Sequence, residues 1–269
     1  MSAAAGGPGQ FSTASLVVHQ ARYDLRVFRR DPRARGFTLA LPVLLLVLFG
    51  SIFRHDSFTY AGVTIPGDAY YAPRMIVLGL TGASLSNLLI NLVSKRETGA
   101  LKRRRATPVR PIVLIGGDLA TAVVSALSIA IVLTLIAWIA FSTHPGGAGL
   151  LAALLAVVVG AIALGSVAYA LSPFVPSVDA AGPLTMLVMF AVNAISGIYV
   201  PENLFPQWIR DVAQVLPIRP LAVAMQSAFD PATNGGRTFA WSDLGIVLIW
   251  GVAAAAFAVR RFVWTPTQQ

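Results

Sequence analysis

The chain has 269 residues, 56% hydrophobic and only 12% charged, with 20 basic against 11 acidic side chains and a formal net charge of +9. A soluble domain carries about 25% charged residues, so this composition, with a mean hydropathy of +0.73, excludes an ordinary soluble fold. The basic residues cluster beside apolar spans, which points to anionic lipid and membrane topology and excludes nucleic acid as their partner; with no cysteine, disulfides, Cys-ligated zinc and thiol catalysis are excluded as well.

Residues 1–12, rich in Ala and Gly, read as a disordered tail. Over 13–31 the spacing predicts an amphipathic helix. His19, Arg22, Arg26 and Arg29 recur at intervals of three and four and share one face, opposite Leu16, Val17, Tyr23, Val27 and Phe28. Such a helix beside a span is expected to lie in the membrane interface; the alternative is a solvated helix face. Asp31-Pro32 ends it, because the residue before proline is pushed out of helical geometry.

From 33 to 266 the chain reads as one all-α, polytopic transmembrane domain. At about 20 apolar residues per crossing, six spans are predicted: Gly36–Phe53, Arg74–Val93, Ile112–Phe141, Leu150–Leu171, Pro183–Tyr199 and Leu244–Val263. The first is followed by Ser51-Ile52-Phe53-Arg54 rather than by a small-residue cleavage site, so it is expected to be retained. Fifteen of the 20 basic residues fall in the N-terminal arm, in the loop after the second span and at the C-terminal end. The positive-inside rule then puts both termini in the cytoplasm of a cell whose plasma membrane the chain crosses.

The segment Lys95–Pro111 carries seven basic residues and one carboxylate, Glu97, between two apolar stretches. A charge at the centre of a membrane helix costs roughly 2.5–3.5 kcal/mol, so this loop must lie at the cytoplasmic surface. Gly99 and Pro108 bracket a stretch able to form a short helix offered to a partner. On the outer side, Trp208, Ile209, Val212, Val215 and Leu216 recur at helical spacing among Pro201, Pro206, Pro217 and Pro220. Two short re-entrant helices fit this pattern, as does an amphipathic surface loop with Trp208 in the aromatic belt.

Polar residues inside the spans mark where a cargo path would show. Asn87 and Asn91 lie four residues apart in the second span, and Asn193 lies near Met189 and Phe190 in the fifth. Cross-helix hydrogen bonding and cargo contact are both open for them. Asp118 is an intramembrane carboxylate, a functional candidate by default, yet its closeness to Pro111 also suits pairing with Arg110 or a lipid headgroup.

Two blocks carry a resemblance to a known family. One is Glu97-x-Gly99-x-Leu101-Lys102-Arg103 followed by Arg105-Ala106-Thr107-Pro108; the other is Ser196-Gly197, then Pro201, Pro206-x-Trp208 and Leu216-Pro217. With six spans and a basic N-terminal helix, the chain resembles an ABC-2 type transporter permease, most of all the daunorubicin-resistance type. It departs at Arg104, where that family usually has an apolar residue.

The resemblance implies a coupling helix over Glu97 to Thr107 that docks into a groove on a nucleotide-binding subunit. Ala100, Leu101 and Ala106 would fit the groove, with Glu97, Arg103 and Arg105 holding register; for Glu97 a local salt bridge at the hinge and a solvated surface charge are both open. It implies partners: two copies of the ATPase subunit, a second permease (self or sister chain), membrane lipids, and an amphipathic drug, secondary metabolite or lipid as cargo, hence drug efflux and antibiotic resistance. ATP and Mg would be used by the partner, with no cofactor in this chain. Neither Lys95 nor Lys102, the only lysines, follows a glycine, so no phosphate-cradling Gly-Lys-[Ser/Thr] loop is present. Glycan export by the same machinery, an ATPase-independent channel or scramblase, and a membrane scaffold are the alternatives.

Overall fold

In the computed structural model, which describes residues 32–99 and 111–261, apolar helices run up and down a bundle. In chain order they are α1 (Pro32–Ile52), a hairpin of β1 (Ser57–Tyr60) and β2 (Val63–Pro66), α2 (Gly67–Thr81), a π-helical segment (Gly82–Ser86), α3 (Asn87–Glu97), α4 (Pro111–Phe141), α5 (Gly147–Leu171), α6 (Val178–Ile195), α7 (Gln207–Val215), α8 (Ile218–Phe229) and α9 (Trp241–Arg261). Five continuous helical stretches among the described residues are long and apolar enough to cross a membrane, and the apolar part of α1, Leu39–Ile52, is a shorter sixth. The expected all-α polytopic membrane fold is thus present. The interfacial helix over 13–31 and the tail before it lie outside the described residues, as do residues 100–110 of the basic loop.

Several boundaries differ from those expected, most of all in the second and fifth spans. The second span starts at Gly67 rather than Arg74 and continues through the π segment to Glu97. The fifth begins at Val178, five residues before Pro183, because Ser177 accepts a hydrogen bond from Ala180 N at 3.2 Å and caps the helix; Pro183 lies inside the helix and offers no N–H to the carbonyl of Asp179. The two-stranded antiparallel hairpin was not anticipated. Tyr60 pairs with Val63 across a two-residue turn in which Ala61 and Gly62 both have positive φ, 51° and 81°, the backbone that a tight right-twisted hairpin demands. Its Phe58 and Tyr60 rings pack against Phe53, Tyr70 and Tyr71.

In a bilayer the hydrophobic effect gives little drive for helix to meet helix, so association rests on close packing of small residues. The most extensive pairing, α9 on α5, brings Gly251 against Ala163, where an added Cβ would meet the Ala163 Cα at 3.0 Å. At Gly149 an added Cβ would lie 2.1 Å from the Ala228 carbonyl, so α8 is seated against the backbone of α5. The second span is the most enclosed of the membrane helices and α6 the least. Leu184, Met186, Leu187 and Phe190 leave α6 with an exposed apolar face.

The two short helices expected between the fifth and sixth spans are α7 and α8, joined at Leu216-Pro217. They differ in kind. Of α7 only Ala213 is buried, while Trp208, Val212 and Val215 are exposed. Most of α8 is buried, with Leu221 fully enclosed between α5 and the second span.

Candidate functional site

Two buried polar clusters sit at opposite ends of the second span. One lies where the basic loop begins. Lys95 Nζ meets Asp118 Oδ1 of α4 at 2.7 Å, and the Tyr169 hydroxyl of α5 donates to Asp118 Oδ2 at 2.6 Å. Asp118 is therefore paired across helices with Lys95. α4 brings Asp118 level with the last turn of α3; Arg110, the partner expected from the sequence, lies outside the described residues.

The next residue, Arg96, is 4% exposed. Its Nη1 donates to the Ser172 carbonyl at 3.1 Å, and its Nη2 donates to the carbonyls of Val175 and of Pro176, the latter at 3.1 Å. The Ser172 carbonyl caps the end of α5, and those of Val175 and Pro176 belong to the connection that leads into α6. Glu97 Oε1 accepts the backbone N–H of Val178, the first residue of α6, at 2.7 Å. A salt bridge of Glu97 is thus not its contact among the described residues: its carboxylate caps the positive end of α6. Three consecutive side chains grip three different spans. Gly99 then ends the helix with φ +67°, the left-handed conformation that favours glycine just past a helix end. Leu101, Arg103, Arg105, Ala106 and Thr107 lie outside the described residues.

The other cluster lies near the hairpin. Arg74, expected at a span boundary, sits inside the helix with no exposed surface. Its Nε donates to the Gly197 carbonyl at 3.0 Å, and its Nη1 to the Tyr70 carbonyl at 2.9 Å and to Gln226 Oε1 at 2.5 Å. The guanidinium carbon stands 3.4 Å from the Tyr70 ring centroid and 4.8 Å from that of Tyr60. Carbonyl oxygens and ring faces thus replace part of the hydration that a buried cation loses, while Nη2 has no hydrogen-bond partner among the described residues. Gln226 Nε2 continues the network to the Ala69 carbonyl at 3.2 Å. Beside it Glu202 Oε2 pairs with Arg219 at 2.8 Å. Burial pushes the Tyr60 phenol up to about 12, against the opposing pull of Arg74.

Gly197 has φ +76°, and a Cβ there would come within 2.6 Å of Glu202 Cγ. Pro201 and Pro217 are buried around this region, whereas Pro206 and Trp208 are exposed.

The residues expected along a cargo path are not gathered into one cavity. Asn91 is exposed and Asn87 partly buried. Asn193 is fully buried and donates to the Met189 carbonyl at 2.7 Å, while Met189 Sδ accepts the Ser86 hydroxyl at 3.2 Å. Phe190 points outward and stacks on Tyr199. The Asn193 Oδ1 and the hydroxyls of Ser84, Thr185 and Ser196 are buried with no hydrogen-bond partner among the described residues. They lie on the π segment and α6, so the interface of these elements carries spare polar capacity; π segments recur at functional sites. Two clefts flank the bundle. One of about 190 Å³ lies between α4 and α5, lined by Ile131, Leu135, Leu154 and Met225. A smaller one of about 90 Å³ lies between the second span and α6, lined by Leu89, Phe174, Leu184 and Val188.

Arg74, Arg96, Tyr169, Gln226 and Glu202 had no functional assignment from the sequence. The contacts of Arg74 with Gly197 and Gln226 cross 123 and 152 residues and leave no local trace.

A bundle of apolar helices, five of them long enough to cross a membrane among the described residues, is the architecture of a polytopic membrane protein. The model of the ABC-2 type transporter family matches residues 17–229, and the chain belongs to that family. A search of curated proteins finds no match. Family membership makes the chain a membrane-embedded transport subunit and implies association with an ABC ATPase subunit.

Proposed function

We propose that the chain is the permease of an ABC exporter that couples ATP hydrolysis by a separate nucleotide-binding subunit to efflux of an amphipathic drug, secondary metabolite or lipid across the plasma membrane. The basic-loop end faces the cytoplasm and the hairpin end faces outward. Two permease copies, or this chain with a sister, would join two ATPase subunits; the exposed apolar face of α6 suits packing against lipid or a second subunit. The loop from Glu97 and Gly99 through Leu101, Arg103, Arg105, Ala106 and Thr107 docks on the ATPase subunit. Cargo passes along α6, past Met189, Phe190 and Asn193, with Asn87 and Asn91 on α3, which packs against α6.

The observation that carries this reading is the fastening of the loop's root, Lys95-Arg96-Glu97, to α4, to the turn after α5 and to α6. A loop that served only as a topology signal would not require those contacts. The test is co-expression with a cognate ABC ATPase subunit, followed by purification and reconstitution in liposomes. Co-purification and ATP-dependent release of an amphipathic fluorescent drug or a labelled lipid are expected. Efflux that proceeds without the ATPase subunit would overturn the reading in favour of a channel or scramblase.

A further inference from the structure

We propose that Arg96 is a positioning residue for coupling, making the root of the basic loop and the fifth span one mechanical unit. This rests on the functional reading above. The guanidinium holds carbonyls of Ser172, Val175 and Pro176 in a buried site, so the chain entering α6 is bound to the end of α3 by three hydrogen bonds from one side chain. Glu97, one residue on, binds the Val178 N–H from the exposed side. The cation takes carbonyl oxygens of the connection, and the carboxylate takes an N–H at the positive end of α6. Sliding the turn past α3 would break both sets at once.

The same span holds α6 elsewhere. Arg74 binds the Gly197 carbonyl just beyond the other end of α6, and Ser86 of the π segment bonds to Met189 in its middle. The outward side of α6 has no such restraint, with Met186 and Phe190 exposed. A displacement of residues 95–99 therefore passes to α6 through Arg96 and Glu97. Lysine cannot replace Arg96, since its single ammonium group lacks the planar fork that reaches separated carbonyls.

The chain has no cysteine, so Thr98→Cys and Asp179→Cys, both at exposed positions, can be spin-labelled in the full-length protein in lipid nanodiscs. The inter-label distance is measured for the chain alone and with the co-purified ATPase subunit, with and without a non-hydrolysable ATP analogue. A single narrow distance that does not change with nucleotide is expected. Arg96→Gln should broaden that distribution even in the chain alone, and should lower cargo exported per ATP hydrolysed by about tenfold, a typical coupling energy. Arg96→Lys should not restore either value. Should Arg96→Gln fail to reach the membrane, Glu97→Gln at its exposed position should shift both readouts in the same direction, less far.

A nucleotide-dependent change of the distance in the natural chain would overturn the clamp. So would an Arg96→Gln protein with the natural distance distribution or the natural export per ATP. Failure of the natural chain to retain any ATPase subunit would instead remove the functional reading, while the label distances in the chain alone still decide whether Arg96 fixes the turn.

Discussion

Arg74 donates its Nε hydrogen to the carbonyl oxygen of Gly197 at 3.0 Å, although neither group has exposed surface to speak of and 123 residues separate them. An arginine buried without a carboxylate within ion-pair reach among the described residues is costly unless carbonyls and rings replace its water. Here Gly197, Tyr70 and Gln226 supply the acceptors. The hairpin, the second span, the turn after α6 and α8 therefore meet at a single side chain.

Truncating that side chain should be expensive and dependent on its partner. Arg74→Met strands Gln226 Oε1, at about 1–3 kcal/mol for a buried group that loses its partner, while the Gly197 carbonyl keeps the Tyr70 hydroxyl at 3.3 Å. Gln226→Leu strands one donor of Arg74. The double change Arg74→Met with Gln226→Leu should cost less than the sum of the two, because both members of one buried bond then disappear. Thermal unfolding of the three variants in detergent, followed by tryptophan fluorescence, measures the coupling; strict additivity would mean that the bond contributes nothing.

At the opposite end the Lys95–Asp118 pair gives a charge-swap test. Among the described residues, Lys95→Met leaves the Asp118 carboxylate, itself largely buried, with only the Tyr169 hydroxyl, and removal of one partner from a buried pair costs about 3–5 kcal/mol at its upper end. Lysine is partly exposed here, so the loss should fall well below that limit. Lys95→Asp alone should be worse, by like-charge repulsion. Combining Lys95→Asp with Asp118→Lys should recover membrane yield and unfolding temperature in part. No recovery would show that the Tyr169 contact, rather than charge pairing, fixes Asp118.

Two glycines with similar backbones should respond differently. Gly99 has φ +67° and open space around an added Cβ, whereas at Gly197 (φ +76°) that Cβ would strike Glu202 Cγ at 2.6 Å. A left-handed alanine costs roughly 1–2 kcal/mol, which is all that Gly99→Ala should lose. Gly197→Ala must also displace Glu202 from Arg219, so its unfolding temperature should drop further. Equal losses would mean that Glu202 shifts freely.

Sidedness can be read with the same cysteine-free background. Ser57 in the hairpin and Thr98 at the far end of the second span are both exposed. Ser57→Cys in intact cells should react with a membrane-impermeant maleimide, and Thr98→Cys only after the membrane is opened. The reverse pattern would place the basic loop outside and overturn the proposed orientation.

Much of this architecture was legible in the chain, for reasons of solvation. Burial of about 20 apolar residues per crossing and the exclusion of charge from lipid locate the spans, the basic loop and the prolines that set α7 apart from α8, since these constraints act on each segment separately. Gly99 was visible as a loop boundary because only a local backbone rule is involved. The hairpin was legible in principle, in the alternation of Phe58, Tyr60, Val63 and Ile65 about Ala61-Gly62, but four-residue strands carry a weak signal beside membrane helices.

What only the tertiary structure decided is where the buried charges go. Solvation reasoning moves Arg74 to the surface, because it prices the cation against lipid and not against the carbonyl of Gly197 and the rings of Tyr60 and Tyr70. The same reasoning gives Lys95 and Arg96 to topology. In the folded chain Lys95 meets Asp118 and Arg96 meets the turn after α5, each across a distance in sequence that no local pattern records. Hydropathy is a property of single segments and is read from them directly. Satisfying a buried charge requires acceptors from several segments at once, and these come together only when the helices pack.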